Sequence, residues 1–105
     1  MADERYVAKV DAVLESLIPR YMERRRADLT TIRQGVEAGD FEAIALLGHS
    51  MKGSGGGYGF DLVTECGGRI EDAAGVGDAV GILAEAELLE HYLDTVVVEI
   101  LESED

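Results

Sequence analysis

The chain has 105 residues, with 22 Asp and Glu against 9 Lys and Arg, a formal net charge of −13. That length makes one domain, residues 1–105, and 47% apolar against 30% charged residues supply a core that a disordered acidic tail lacks. So acidic a surface excludes nucleic acid and anionic membrane as partners, since both demand cations to neutralise phosphate. Apolar runs such as Ala43–Leu47 are too short to span a bilayer. The Met-Ala-Asp-Glu-Arg start lacks the basic-then-apolar order of a secretory leader, and the single Cys66 offers neither a disulfide framework nor a Cys-rich metal site. A cytoplasmic location is the expectation.

Helical periodicity dominates, and no segment reads as a strand. In residues 1–16, Tyr6, Val10 and Val13, continued by Leu17, step by 4, 3 and 4, which predicts a short amphipathic helix laid against the rest of the fold. A helix from about Leu17 to Ala38 follows, with Ser16 as its N-cap, Pro19 in its first turn, and Ile18, Met22, Leu29, Ile32 and Val36 on one face. Gly39 ends it and Asp40 caps the next. From there Phe41, Ile44, Gly48, Met51, Gly55 and Tyr58 step by 3, 4, 3, 4 and 3, a helix-packing seam. A third helix runs from Phe60 or Asp61 to Ala74, with Leu62, Cys66, Ile70 and Ala73 facing inward. After the turn Gly75-Val-Gly-Asp78, a last helix carries Ile82, Ala86, Leu89, Leu93, Val96 and Ile100. The fold expected is all-α: an antiparallel up-and-down four-helix bundle over residues 17–102 with a short N-terminal extension, monomeric because its apolar stripes are consumed by one core.

Charge is segregated. Residues 1–33 hold seven basic and six acidic side chains, a net of +1, so residues 34–105 carry −14 with only Lys52 and Arg69 basic. Arg24, Arg25 and Arg26 are expected to solvate an outer helix face, contact with an acidic partner surface being the alternative.

Glycine is the anomaly. Five fall between Gly48 and Gly57 on a helical stretch, each costing about 1 kcal/mol relative to Ala in a helix interior, against a whole-domain stability of about 5–15 kcal/mol. Either the helix stops near Lys52 or the backbone is kept bare for close approach, and the seam continuing to Tyr58 favours the second. A phosphate-binding loop needs Lys after its glycines, whereas Lys52 precedes them. The dinucleotide pattern fails at Tyr58 and Phe60, and a hydrolase nucleophile elbow around Ser50 fails because Lys52 replaces its final glycine. What remains is one helical stripe, Ala45, His49, Lys52, Gly53 and Gly56, about 100° round from the seam. On it an imidazole, ordinarily of pKa about 6.5 and so nucleophilic near neutrality, lies one turn from an ammonium suited to an incoming phosphoryl group. His91, about 200° round its helix from Leu89, is expected to face solvent. Two histidines without spaced acids make no metal site.

The stretch His49-Ser-Met-Lys52-Gly53-Ser-Gly-Gly-Gly-Tyr-Gly59-Phe60-Asp-Leu62, followed by Cys66 and Ile70-Glu71, resembles the histidine-containing phosphotransfer (HPt) family. Its pattern is H-x-x-K-G, small residues, a Gly ten positions after the His, a Leu three further on, and an acid near position +22. The resemblance implies that His49 carries a phosphoryl group, that Lys52 stabilises it, and that Glu71 orients the imidazole. It also implies that Ala45, Gly53 and Gly56 leave room for a docking partner. The implied partners are a response-regulator receiver domain and a hybrid histidine kinase, with no cofactor on this chain and Mg²⁺ on the receiver. With no ATP-binding segment the chain resembles a relay intermediate, not a kinase or hydrolase. Two other readings stand beside it: a non-catalytic helical module that binds a receiver or kinase, and an enzyme using Ser50 or His49 on a small molecule.

Overall fold

A computed structural model describes residues 6–102. Its elements in chain order are β1 (Val7–Asp11), a 3-10 helix (Ala12–Leu17), α1 (Ile18–Ala38), α2 (Phe41–Tyr58), α3 (Asp61–Gly75), α4 (Ala79–Thr95) and β2 (Val97–Leu101). α1 packs on α2 and α4, and α3 packs on α2 and α4, so the four helices close a ring. The turns at Gly39-Asp40 and before Asp78 are those the sequence marks, and Gly59 supplies the one between α2 and α3. Gly39 and Gly59 stand at φ 71° and 89°, the left-handed conformation that ends a helix at low cost for glycine. Asp40 accepts a hydrogen bond from the Ala43 amide and Asp78 from the Gly81 amide, each satisfying an otherwise unpaired donor of a first turn. Phe60, Ile32, Ile44, Met51, Ile70, Ile82 and Leu89 fill the interior of the ring. Tyr21 stacks with both Tyr58 and Phe60 at the end of α2.

The two ends of the chain differ from expectation. In place of an N-terminal helix, residues 7–11 form a strand followed by one 3-10 segment, and α4 stops at Thr95, five residues short of Ile100. The two strands pair in parallel, Val7 beside Val97 and Val10 beside Ile100, so the whole bundle is the crossover between them. β1 alternates exposed and buried, with Ala8 and Val10 fully inside, and Val97, Val98 and Ile100 are β-branched residues suited to a pleated surface. Gly59 locks this ribbon to the bundle: a Cβ there would collide with the Lys9 carbonyl oxygen. Two smaller differences concern caps and faces. Leu17, not Ser16, occupies the N-cap of α1 and offers no side-chain bond. On α3 the buried residues are Val63, Cys66, Gly67, Ile70 and Ala74, so Leu62 and Ala73 flank the buried face instead of forming it.

The glycines of α2 sort into two kinds. A Cβ on Gly48 would lie 2.8 Å from the Gly67 carbonyl oxygen and 2.8 Å from the Glu71 amide nitrogen. One on Gly55 would lie 2.6 Å from the Thr64 amide nitrogen, and one on Gly67 would lie 2.6 Å from the Lys52 amide nitrogen. These three let the backbones of α2 and α3 touch. Gly53 and Gly57, by contrast, have nothing within 4 Å of an added Cβ, and Gly56 meets only the Thr64 hydroxyl oxygen at 3.8 Å. The two kinds respond oppositely to alanine. Gly67→Ala, which must force two backbones apart, is expected to cost about 2–3 kcal/mol in urea unfolding. Gly53→Ala fills open space in a helix and is expected to stabilise by about 0.5–1 kcal/mol. A destabilised Gly53→Ala would contradict this division.

Candidate functional site

The close crossing of α2 and α3 sets the site. Because Gly48 lies against the Glu71 backbone, the next residue, His49, comes alongside the Glu71 side chain, and its Nδ1 lies 3.0 Å from Glu71 Oε2. An ionised carboxylate only accepts, so Nδ1 carries the proton and donates it. That leaves Nε2 as the ring's lone-pair nitrogen, and no residue among those described hydrogen-bonds it. The His49 side chain is 72% exposed while Glu71 is only 31% exposed. The acid is therefore the fixed member of the pair and the imidazole stands out from the surface.

Lys52 lies one turn beyond His49 and is exposed. Its aliphatic stem passes over α3 at Gly68, where an added Cβ would meet the Lys52 Cδ at 3.6 Å and Cε at 3.9 Å. Among the described residues its ammonium forms no ion pair, so its charge is uncommitted. Ala45, half-buried, precedes His49 by one turn, and the bare backbone of Gly53, Gly56 and Gly57 follows it. The residues singled out in the sequence therefore share one continuous surface of α2 and α3. Gly57 and Gly68 belong with them: the first adds to the open strip and the second gives Lys52 its bed. Gly57 was visible as a fifth glycine, whereas Gly68 needed knowledge of which α3 residue faces Lys52. Leu46, at 68% exposure, also lies on α2 three residues before His49.

The neighbouring polar groups are committed to structure. The Thr64 hydroxyl accepts from the Gly56 amide at 2.8 Å, tying the strip to α3. Cys66 is buried, and burial with the nearby Glu85 carboxylate pushes its thiol up to about 12, so it is no nucleophile. His91 is exposed on α4 with the Tyr6 ring edge-on at 6.4 Å, away from α2. Among the described residues no three His, Cys, Asp or Glu side chains converge to hold a metal ion, and no helix is long and apolar enough to cross a membrane.

The hydrogen bond to Glu71 has a direct signature. Imidazole ¹⁵N shifts of neutral His49 are expected to show the Nδ1–H tautomer in the wild type. Glu71→Ala is expected to shift the ring toward the Nε2–H form that free imidazole side chains prefer. Identical spectra for the two proteins would mean that Glu71 does not set the tautomer.

No curated protein and no solved structure matches the chain. The family model described as Hpt domain does match, over residues 16–100, a span that contains the four helices and every residue of the site. Covering most of the sequence, that match makes this chain a member of the Hpt domain family.

Proposed function

We propose that His49 takes a phosphoryl group from the aspartyl phosphate of a receiver domain and returns it to another. Hpt domains are phosphotransfer intermediates that work with the receiver and kinase domains of two-component systems. The observation that carries the assignment to His49 is its geometry. The imidazole is exposed, its Nδ1–H is bonded to Glu71 at 3.0 Å, its Nε2 has no hydrogen-bond partner among the described residues, and the turns of α2 that follow are bare at Gly53, Gly56 and Gly57.

The Nε2 lone pair attacks phosphorus in line as the phosphorus bond to the aspartyl oxygen breaks and the carboxylate leaves. Attack places positive charge on the ring, and the Glu71 carboxylate on Nδ1–H stabilises it as it forms. Lys52 offers its ammonium to the phosphoryl oxygens. Ala45, Gly53 and Gly56 keep the approach open, so the receiver can bring its phosphoaspartate within bonding distance of a nitrogen fixed on a rigid helix. The Mg²⁺ that a phosphoaspartate centre employs is expected on the receiver, with this chain contributing only the imidazole and its neighbours.

Incubation with labelled, phosphorylated receivers tests the reading. Acid-labile, base-stable label is expected on the wild type and none on His49→Gln, with the helical circular dichroism of the two alike. Lys52→Ala is expected to slow transfer about tenfold or more while still becoming labelled. A folded wild type that accepts label from no receiver would overturn the proposal and leave a binding module.

The open strip makes a separate prediction. Gly53→Trp projects into space with nothing within 4 Å, so the bundle is expected to fold and transfer from the receiver to fall at least about a hundredfold. A folded Gly53→Trp protein with an ordinary transfer rate would show that the partner does not cover this strip.

A further inference from the structure

The arginines of α1 divide as sharply as the glycines of α2. Arg25 forms an ion pair with Asp28 at 2.8 Å, donates to the Ser54 hydroxyl at 3.0 Å and lies over the Tyr21 ring. Arg26 is bound by Asp94 and the Leu93 carbonyl, and Arg33 by Glu90. The expectation of a solvated arginine face holds for the exposed Arg24 and Arg26, the latter also pairing with Asp94, and is corrected for Arg25, whose side chain is largely buried between α1 and α2. Arg20 and Arg24, both exposed, form no ion pair among the described residues, in a chain with 22 acids to 9 bases.

Their placement carries a local cost. They are spaced i,i+4 on one helix face, where like charges repel, and they occupy the first two turns of α1, where the helix dipole disfavours cations and the first turn holds no acid to offset them. Asp28 attracts Arg24 through space but is already paired with Arg25, so neither Arg20 nor Arg24 has an ion-pair partner of its own among the described residues, and a docking partner can supply one. Arg20 and Arg24 line a groove of about 320 Å³ between α1 and α2 whose opposite wall is Ser50, Ser54 and Tyr58. Ser50 directly follows His49, so this groove runs beside the strip bearing the imidazole. The other flank of the strip, on α3, carries the exposed Asp72 and the Glu71 carboxylate bound to His49, while Glu65 is paired with Arg69 at 3.8 Å.

We propose that Arg20 and Arg24 are the cationic flank of the docking face, and that the receiver seated over His49 presents acidic side chains to them. The inference rests on the phosphotransfer reading and adds the chemistry and orientation of the partner. A face basic on its α1 side and acidic on its α3 side accepts an asymmetric partner in one rotation and rejects the reversed one. Against a chain carrying −13, the pair also supplies a local attraction for an acidic domain at contact range, within a Debye length of about 8 Å at physiological salt.

The test compares two variants of equal net charge, Arg20→Ala/Arg24→Ala and Val80→Glu/Ala84→Glu, the second on exposed positions of α4 across the ring from α2. The donor is whichever phosphorylated receiver labels the wild type. At low ionic strength the arginine variant is expected to raise KM for that receiver at least about fivefold with kcat within twofold. The α4 variant is expected to keep both within twofold. The arginine defect is expected to shrink at 0.5 M salt. Loading from phosphoramidate, in which the phosphorus–nitrogen bond breaks, ammonia leaves and the bond to Nε2 forms, needs no docking and is expected to be equal in all three proteins. Equal KM values for the two variants, a salt-independent defect, or slowed phosphoramidate loading in the arginine variant would each overturn the inference while leaving His49 as acceptor. Transfer from no receiver to any of the three would overturn the phosphotransfer reading and this inference with it.

Discussion

Backbone contact between α2 and α3 is the constraint on which the site depends. Gly48, Gly55 and Gly67 remove the side chains that would hold two helices at their usual separation of about 8–10 Å. Close approach does three things together. It brings the Glu71 carboxylate to the His49 ring, lays the Lys52 stem across Gly68, and fixes both on elements buried against the core. A wider crossing would leave the same residues on the same faces with the hydrogen bond out of reach. Pre-organisation of this kind lowers the reorganisation needed when charge develops on the ring.

The remaining glycines follow from the same geometry in the opposite sense. Gly53, Gly56 and Gly57 add nothing to packing, and in a helix each is a net cost. The proposed docking gives them a physical rationale, since a second molecule would need that surface bare. Together with an exposed imidazole and a lysine unpaired among the described residues, they suit the proposed transient contact. In the proposed transfer no deep pocket is needed, because the receiver would supply the second wall.

Much of this was legible in the sequence because it is local. Caps at Asp40 and Asp78, the helix-ending Gly39, and the 3-4 spacing from Phe41 to Tyr58 each report on a few neighbouring residues, and the four helices follow from them. The stripe holding His49, Lys52 and Gly53 followed from the same periodicity. What was not legible involves partners distant in sequence. The strand pair joins Val7 to Val97, and over so few residues a spacing of 4, 3 and 4 imitates a helix where the tertiary pairing imposes period 2. The run Val96-Val-Val98 carried β-branched character, yet nothing nearby offered a strand for it to pair with. Sorting Gly48 from Gly53, or Arg24 from Arg26, likewise required the facing residues on α3 and α4.

The central claim is that Glu71 holds Nδ1 so that Nε2 does the chemistry. Imidazole ¹⁵N and ³¹P NMR of the phosphorylated protein tests it most directly, by locating the phosphorus–nitrogen bond. The account predicts a single phosphoryl group on Nε2 of His49, with the Nδ1 proton still bonded to Glu71. A bond at Nδ1 of His49, or label on Ser50 or His91, would contradict it.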